Sequence, residues 1–345
     1  MAEVIREIRR SDMKRYIELL RLGYSNGPAA VDTVNALLQS ARLYGRFFYL
    51  WKCLSFLNLF PTIIPKILVF EKDGVVVGVR SARRRGGRKG PLFIIHISVD
   101  PAFRRQKIAR RLRRYFEQKL DPDTSHIILH KVLETNVPEI NNSEKAGYHV
   151  YARETKFFLS PDGWSETEIF LNNRVNSSMS LQSAVHRKPG WHDIRNLKFK
   201  ETPAEVMKWD PQAVFPFGRV PGISNFLTNI FLTRPEWKGG IAINGELVAC
   251  GILIYHRLQH TYELDMSAPP GAKDAVCFLL LHVMKHLSGR AKAPVNVIAS
   301  DYQESVVAAL KDSGFSVKEK KRLYCKNIDP SLSKQVRLLR RGANG

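Results

Sequence analysis

The stretch VDPAFRRQKIARRL, residues 99–112, decides the fold of this chain. It follows the apolar run 91–99, which predicts a β-strand, and it leads into a helix predicted to begin at Arg104, Arg105 and Lys107. Cations in a first helical turn oppose the helix dipole, which favours negative charge there. The arrangement is favourable if an anion accepts hydrogen bonds from the free N–H groups of that turn. We therefore expect either a phosphate-bearing ligand at this strand-to-helix turn or a solvated basic helix start.

Strand and helix signals alternate on both sides of this stretch. Strands are predicted over 4–8, 66–71, 75–79, 91–99, 126–133 and 148–159, and helices over 12–22, after Arg104 and over 136–146. Asp73-Gly74 between two strand-like runs is typical of a hairpin turn. Asn136 is a candidate N-cap with Glu139 three residues later, and Gly147 is placed to end that helix.

The second half of the chain repeats this order of signals. Strands are predicted over 240–243, 246–255, 262–266 and 294–299, with a helix over 273–287. Three pairs of markers lie 171, 165 and 167 residues apart: Asp73-Gly74 and Asn244-Gly245 at the hairpins, Asn136 and Asp301 at the caps, and Gly147 and Gly314 after the helices. Three markers in one order predict two copies of one fold.

The repeat divides the chain into two domains joined by a polar segment. We expect a first domain over residues 1–160, a connection over 161–200, a second domain over 201–329 and a basic tail over 330–345. A length of 345 residues also favours two domains. Within the connection, the sequence does not mark where the second copy starts.

The composition is that of a globular protein with a strong positive charge. The formal net charge of +22 suits anionic partners such as phosphorylated cofactors, nucleic acid, acidic proteins or a membrane surface. The four cysteines form no C-x-x-C pair, and the pairs His282 with His286 and His126 with His130 lack a third ligand, so we expect no metal. The charged N-terminus lacks the apolar core of a signal peptide, so we expect a cytoplasmic protein.

One segment, residues 47–70, is far more apolar than the rest of the chain. Pro61, Pro65 and Lys66 interrupt it, and a spanning helix needs about 20 mostly apolar residues. We expect a core helix followed by a proline-bounded loop and a strand. An apolar acceptor pocket or dimer face, and shallow membrane contact, are the alternatives.

Two motifs resemble those of the GNAT superfamily of acyl-CoA-dependent N-acyltransferases. The signature V-x-P-x-[aromatic]-[R/Q]-x-x-G-x-[G/A] is matched by Val99, Pro101, Phe103, Arg104 and Ala109. Downstream, the family often has an asparagine and then Y-E-K-x-G-[F/Y], and this chain has Asn136 and then the run SEKAGY at 143–148. The resemblance covers residues 4–160 well and 239–326 in outline.

The resemblance implies two tandem GNAT-like α/β domains, each a mostly antiparallel sheet splayed between its fourth and fifth strands. Acetyl-CoA, as co-substrate, would lie in that gap in the first domain. Its pantetheine would pair with backbone near Ser98 and Val99. The other residues that the resemblance assigns to coenzyme A are Arg104, Arg105, Gln106, Lys107, Ile108, Ala109 and Asn136, with the pyrophosphate on the N–H groups of 104–109.

Three departures from the family pattern bear on activity. The family's central glycine falls at Lys107, whose side chain helps the site if it points outward and blocks it if it points inward. The tyrosine that commonly protonates the leaving thiolate falls at Ser143, a weaker acid. In the second copy, the counterpart 272–277 contains Asp274 and lacks the arginine and glycine, so we expect no coenzyme A there.

Acyl transfer to an amine also needs a base, because an alkylammonium has a pKa near about 10. Glu134 and His96 are the candidate bases, Ser143 is the candidate acid, and by resemblance the Val99 N–H would polarise the thioester carbonyl. The predicted function is transfer of an acetyl or other short acyl group to a primary amine of a small molecule or peptide. Direct attack within a ternary complex is expected, because no cysteine lies near the motifs.

Two other functions compete with this prediction. A non-catalytic GNAT-fold module could bind nucleic acid or an acidic partner through its basic face, and Lys107 and Ser143 support that alternative. The run 80–90 carries six cations and is either a solvated loop or a contact for an anionic substrate, coenzyme A or RNA. An aminoacyl-tRNA-dependent transferase ranks last, because such proteins usually lack the motif at 104–109.

Overall fold

The computed structural model describes residues 2–24, 38–39, 41–56, 65–84, 90–120, 126–178, 183–214, 233–257, 259–290 and 292–328. By its internal contacts the chain divides into two compact units. Unit 1 contains Met1–Val132, Asn136–His149 and Tyr324–Gly345, and unit 2 contains Leu133–Thr135 and Val150–Leu323. The sequence predicted a domain boundary near residue 160, whereas the unit boundaries fall inside three strands and in the turn that follows one of them.

Twelve strands and nine helices of the described residues are labelled here in chain order. The strands are β1 Glu3–Glu7, β2 Lys66–Lys72, β3 Val75–Arg84, β4 Leu92–Val99, β5 His126–Leu133, β6 His149–Leu159, β7 Ala184–Arg187, β8 Thr233–Ile243, β9 Glu246–His256, β10 Thr261–Ser267, β11 Val295–Ser300 and β12 Ser316–Ile328. The helices are α1 Met13–Tyr24, α2 Phe48–Phe56, α3 Ile108–Gln118, α4 Val137–Glu144, α5 Trp164–Ser177, α6 Trp191–Glu201, α7 Ala204–Trp209, α8 Lys273–Ser288 and α9 Glu304–Asp312.

The sheet of unit 1 runs in the order β1-β2-β3-β4-β5, and the last residues of β12 follow β5. Neighbouring strands from β1 to β4 are antiparallel, and β4 with β5 is parallel. Alternate residues of β2 belong to different cores: Leu68 and Phe70 pack with α3, whereas Ile67 and Val69 pack with α1. Because successive side chains of a strand point to opposite faces, α1 and α3 cover opposite faces of this sheet.

Helix α3 packs through a single apolar stripe. Ile108, Leu112 and Phe116 are four residues apart, and all three are buried. Gly78 on β3 permits this close approach, because a Cβ there would lie 2.7 Å from the Cγ2 atom of Ile108. The spacing predicted this buried stripe correctly.

Unit 2 repeats the plan with the order β12-β6-β11-β10-β9-β8-β7. Residues of α8 and α9 form one large core with β9, β10 and β11, and α6 packs on the other face of β9. Helix α5 also packs on α8, which places most of the segment 161–200 in unit 2. The short strand β7 pairs with β8 and starts this copy of the fold, a start that the sequence left unplaced.

The fold class is confirmed: each unit is a mixed, mostly antiparallel sheet with helices. Both predicted hairpin turns are present, with positive φ at Asp73-Gly74 and Asn244-Gly245. Two expectations need correction. Helix α3 begins at Ile108, so the cations at 104–107 precede it, and the N-cap of α9 is Gln303 instead of Asp301. The cap distance from Asn136 then becomes 167 residues, the same as the distance between Gly147 and Gly314.

Within its described residues, the apolar segment 47–70 contains α2 and most of β2. Phe48 is buried, whereas Phe47, Tyr49 and Leu50 are exposed. Residues 57–64 and the basic tail 330–345 lie outside the described part of the chain. Among the described residues, no helix is long and apolar enough to cross a membrane.

Candidate active site

A gap opens between the parallel strands β4 and β5 of unit 1. Their pairing has three residue pairs, of which the last joins Ile94 to His130. Strand β4 continues for five residues beyond that pair, to Val99, which is about 16 Å at the usual rise of a strand. The gap therefore widens toward the loop that follows β4, as the splay between the fourth and fifth strands predicted.

The backbone of β4 presents Val99 and not Ser98 to this gap. The N–H of Asp100 donates to the carbonyl of Val77 on β3, at 2.9 Å. Backbone groups alternate in an antiparallel pair, so Ser98 also faces β3 while Val99 faces away from it. The Ser98 hydroxyl is engaged as well, because it donates to the carbonyl of Leu19 at 2.6 Å. Of the two residues predicted to pair with pantetheine, Val99 has the suitable orientation.

The loop between β4 and α3 has an unusual backbone. A short 3₁₀ turn at Pro101–Phe103 is capped by Asp100, whose carboxylate accepts from the N–H of Ala102 at 2.9 Å. Arg105 and Lys107 then adopt φ of 65° and 60°, the left-handed region that favours glycine. The positive φ at Lys107 explains why the family pattern has glycine at this position.

The N–H groups of this loop are free to bind an anion. Within the described part of the chain, no group accepts a hydrogen bond from the N–H of residues 105–109. Arg104, Arg105 and Lys107 are exposed, and Lys107 therefore does not fill the space at the helix start. Unpaired N–H groups at a helix N-terminus, together with nearby cations, fit a phosphate or diphosphate group. Sequence reasoning placed these groups in a helical turn, whereas the loop itself provides most of them.

Ser143 lies in a chain of three polar side chains. Its Oγ is 3.4 Å from Nδ1 of His130, and Nε2 of His130 is 3.6 Å from Oε1 of Glu139. Burial lowers the pKa of His130 to about 3, and burial raises the pKa of Glu139 above its usual value. A neutral imidazole therefore lies between a hydroxyl group and a carboxyl group whose pKa is raised by burial.

This chain belongs to a larger buried polar cluster, which we define as Arg80, Glu117, His130, Glu139, Ser143 and Tyr148. The Tyr148 hydroxyl donates to Glu117 at 3.2 Å, and Lys326 donates to the same carboxylate at 3.0 Å. Arg80 is 4% exposed and lies over the ring of Phe116, with its Cζ 5.4 Å from the ring centroid. The sequence placed Arg80 in a basic loop, but β3 extends to Arg84 and turns Arg80 into the core.

Sequence reasoning did not find this cluster, although the repeat contained a signal for it. Four members have counterparts 167 residues later in the second copy: Val297 for His130, Val306 for Glu139, Leu310 for Ser143 and Phe315 for Tyr148. All four counterparts are buried in the core of unit 2. A polar residue in one copy that is apolar in the other marks a position that the fold alone does not require to be polar.

Three other predicted residues have clear structural surroundings. Asn136 is the N-cap of α4, and its side chain accepts from the N–H of Glu139 at 3.3 Å, as its position predicted. The ring of His96 faces α1, where it contacts Tyr16, and its Nδ1 lies 2.8 Å from the hydroxyl of Ser81 on β3. Burial lowers the pKa of His96 to about 3. His96 is therefore a poor acceptor for an ammonium proton.

Glu134 follows β5 and belongs to unit 2 by its contacts. Its N–H donates to the carbonyl of Lys320 at 3.0 Å. Its carboxylate lies 3.7 Å from Nε of Arg153 and 4.0 Å from Nε of Arg322. The side chain is half-buried between these two cations, an arrangement that suits a positioned carboxylate.

The corresponding gap in unit 2 is filled by the protein itself. Strands β10 and β11 also pair over three residues only. Beyond them, the Gln303 side chain donates to the carbonyl of Met266 at 3.0 Å and accepts from the N–H of Ser300 at 2.9 Å. The carboxyl group of Glu201 accepts from the N–H of Ala268 at 3.1 Å. Side chains thus form hydrogen bonds with backbone groups along this gap, whereas the gap in unit 1 is open.

The helix start in unit 2 is also closed to anions. The loop from β10 to α8 has five residues, 268–272, whereas the loop from β4 to α3 has eight, 100–107. Asp274 occupies the second position of α8 and is held by Arg174 at 3.0 Å and by the Ser178 hydroxyl at 2.9 Å. A carboxylate at this position repels a phosphate group. The described residues contain no cluster of three or more metal-ligating side chains in either unit.

Comparisons with known proteins agree with this geometry. Residues 39–148 match the model of the acetyltransferase (GNAT) family, which is about a third of the chain and includes the gap, the loop and α4. No curated protein sequence matches the chain.

Solved structures are similar over nearly the whole chain. A GCN5-related N-acetyltransferase from Sphaerobacter thermophilus is 13% identical, with a TM-score of 0.56 over 95% of this chain and 97% of that one. A tandem GNAT protein from the clavulanic acid biosynthesis pathway is 13% identical, with a TM-score of 0.55 over 94% and 98%. At these identities the likeness shows the fold. The chain has a tandem GNAT-like fold, and its residues 39–148 are similar to the acetyltransferase (GNAT) family.

Proposed function

We propose that the protein is an N-acyltransferase that moves an acetyl or other short acyl group from coenzyme A to a primary amine. The observation that carries this proposal is the β4–β5 gap of unit 1, which opens beside a loop with five free N–H groups at residues 105–109. The loop supplies hydrogen-bond donors for a diphosphate, and Arg104, Arg105 and Lys107 add positive charge around it.

The rest of the gap suits the reacting end of a thioester. The N–H of Val99 points to the open edge of β4, where it can donate to a carbonyl oxygen and stabilise negative charge that develops there. No cysteine lies on β4, on β5 or in the loop that follows β4. Direct attack of the amine on the thioester therefore remains our proposal for the mechanism.

Ser143 is our candidate for the group that protonates the leaving sulfur. Its hydroxyl can donate its proton to the thiolate and take one from Nδ1 of the neutral His130. Nε2 of His130 then takes a proton from the carboxyl group of Glu139, which becomes a carboxylate. The two transfers within the protein join groups that lie 3.4 Å and 3.6 Å apart. The relay compensates for the weak acidity of a serine at the usual tyrosine position.

The base that accepts the amine proton is the less defined part of the site. Transfer from an alkylammonium to an imidazole with a pKa near 3 is uphill by about 10 kcal/mol, which argues against His96. Glu134 stays our candidate, as a half-buried carboxylate beside two arginines.

The acceptor is a primary amine of a small molecule or a peptide. We further propose a cytoplasmic location, which the four free cysteines fit.

Unit 2 is proposed to bind no coenzyme A. Glu201 and Gln303 occupy the backbone groups of its gap, and Asp274 occupies its helix start. Its large apolar core fits a structural role, in support of unit 1 or of the acceptor site.

The variant Ala109→Asp tests the proposal. Ala109 is the second residue of α3, the position at which α8 has Asp274, and a carboxylate there favours a helix start. We expect the variant to fold with undiminished stability but to bind coenzyme A at least about tenfold more weakly. The control is Ala109→Asn, which has nearly the same shape without the charge and should bind normally.

Both variants and the wild type would be titrated with coenzyme A by calorimetry and assayed for acetyl transfer to a panel of primary amines. Equal affinity of the Asp and Asn variants would contradict the assignment of the diphosphate to this loop. A protein that binds no coenzyme A but binds RNA in a salt-sensitive manner would support the non-catalytic alternative.

A further inference from the structure

The guanidinium group of Arg80 is buried without a counter-ion. Among the described residues it forms no ion pair with an acidic side chain, and its Nε is buried without a hydrogen-bond partner. The ring of Phe116 covers one face, and this contact replaces only part of the lost hydration. An unpaired buried charge is strongly unfavourable, so this group needs an explanation, and a bound ligand of opposite charge supplies one.

The fold itself does not require this charge. The hairpin offset of 171 residues aligns Arg80 with Gly251 on β9, where a Cβ would lie 3.3 Å from a side-chain carbon of Leu279 on α8. The corresponding space in unit 2 is therefore filled by a leucine of the covering helix. The polar cluster around Arg80 is likewise apolar in unit 2, at Val297, Val306, Leu310 and Phe315.

Arg80 lies next to the inner end of the β4–β5 gap. On β3 it pairs with Ile97, three residues beyond the last β4–β5 pair at Ile94 and His130. Its side chain is on the face covered by α3, because it contacts Phe116. His130 on β5 and Ser143 on α4 lie on this same face. A ligand that enters from the loop at 105–109 and follows β4 therefore reaches Arg80 with its far end.

The charges around Arg80 leave its guanidinium available. Glu117 is already bound by Lys326 and by the Tyr148 hydroxyl, and Arg113 donates to the carbonyl of Asn142. Glu139 lies next to the neutral His130, and burial raises the pKa of its carboxyl group. A carboxylate ligand would thus meet one free guanidinium group, which is planar and can donate hydrogen bonds to both oxygens of the carboxylate.

We propose that the preferred acyl donor of this protein is a coenzyme A thioester whose short acyl chain ends in a carboxylate, and that Arg80 binds that carboxylate. This inference rests on the proposed function, since it assigns the far end of the same gap. Arg80 is then a specificity-determining residue, and the transferred group is a carboxyacyl group of the malonyl or succinyl kind.

Matched pairs of thioesters test this assignment. Succinyl-CoA and butyryl-CoA, or malonyl-CoA and propionyl-CoA, differ mainly in whether the chain ends in a carboxylate or a methyl group. We expect the wild type to bind the carboxylate member of a pair at least about tenfold more tightly, as a charged hydrogen bond in a buried site allows. Arg80→Met should reverse the preference, and Arg83→Met, an exposed arginine on the same strand, should leave it unchanged.

The outcomes separate this inference from the proposed function. If the wild-type protein binds coenzyme A but does not discriminate between the two thioesters of either pair, the role of Arg80 is overturned and the proposed function is not. If the wild-type protein binds neither coenzyme A nor any thioester, both the proposed function and this inference are overturned. A denaturant titration adds a second readout, because Arg80→Met should raise the unfolding midpoint when an unpaired buried charge is removed. If that variant does not fold, the wild-type comparison still decides.

Discussion

The carboxyl group of Glu201 gives a quantitative test of how unit 2 fills its own gap. Glu201 is 7% exposed and accepts from the N–H of Ala268 at 3.1 Å. Burial raises its pKa from 4.5 to about 7, against the opposing effects of that hydrogen bond and of Lys198. Because the folded pKa is above the unfolded one, the group stabilises the fold below pH 4.5, and this stability is lost as the pH rises through 7.

The size of the effect follows from the shift. A pKa raised from 4.5 to about 7 corresponds to about 3 kcal/mol, of which some 2 to 3 kcal/mol is lost between pH 5 and pH 8. The variant Glu201→Gln keeps an oxygen that can accept from Ala268 but cannot ionise. We therefore expect wild type and variant to be nearly equally stable at pH 5, with the variant more stable by about 3 kcal/mol at pH 8.

Urea unfolding at both pH values measures this difference. Four of the five tryptophans, at positions 164, 191, 209 and 237, lie in unit 2, so tryptophan fluorescence reports mainly on that unit. Glu246→Gln, which changes an exposed carboxylate in the same unit, is the control and should show no such pH dependence. If wild type and Glu201→Gln differ by the same amount at pH 5 and pH 8, Glu201 is not the buried carboxyl group described here.

Three further variants test unit 1 and the catalytic candidates. Lys107→Gly should raise the free energy of unfolding by about 1 kcal/mol because φ is 60° there, whereas Gln106→Gly, at a position without positive φ, should lower it in the same urea titration. Ser143→Ala should lower kcat by about tenfold or more while calorimetry shows unchanged coenzyme A affinity; equal kcat would remove Ser143 from the reaction. Glu134→Gln should lower kcat at pH 7 by about 100-fold if Glu134 is the base, and an unchanged pH–rate profile would contradict that role.

Local signals in the sequence predicted the repeated units well. The hairpins at Asp73-Gly74 and Asn244-Gly245, the cap at Asn136 and the stripe on α3 each depend on residues close together in the chain. Their physical causes are backbone conformation and side-chain spacing, which a single sequence displays directly. The fold class and the gap between the fourth and fifth strands followed from the same motifs.

Features that depend on distant residues were missed. Strand β12 contributes Tyr324 to the core of unit 1, and nothing near Tyr324 in the sequence indicates this packing. Arg80 was placed in a solvated basic run because its neighbours are charged, whereas strand pairing and α3 bury it. The relay of Ser143, His130 and Glu139 joins residues 13 and 9 positions apart across a strand and a helix, so only the fold brings them together.

The central claim is that the N–H groups at 105–109 bind the diphosphate of coenzyme A and that unit 2 has no such site. Hydrogen–deuterium exchange with and without coenzyme A measures this directly. We expect slower exchange in peptides that contain residues 105–109 and no change in peptides that contain 268–274. Unchanged exchange at 105–109 under saturating coenzyme A, or protection at 268–274, would contradict it.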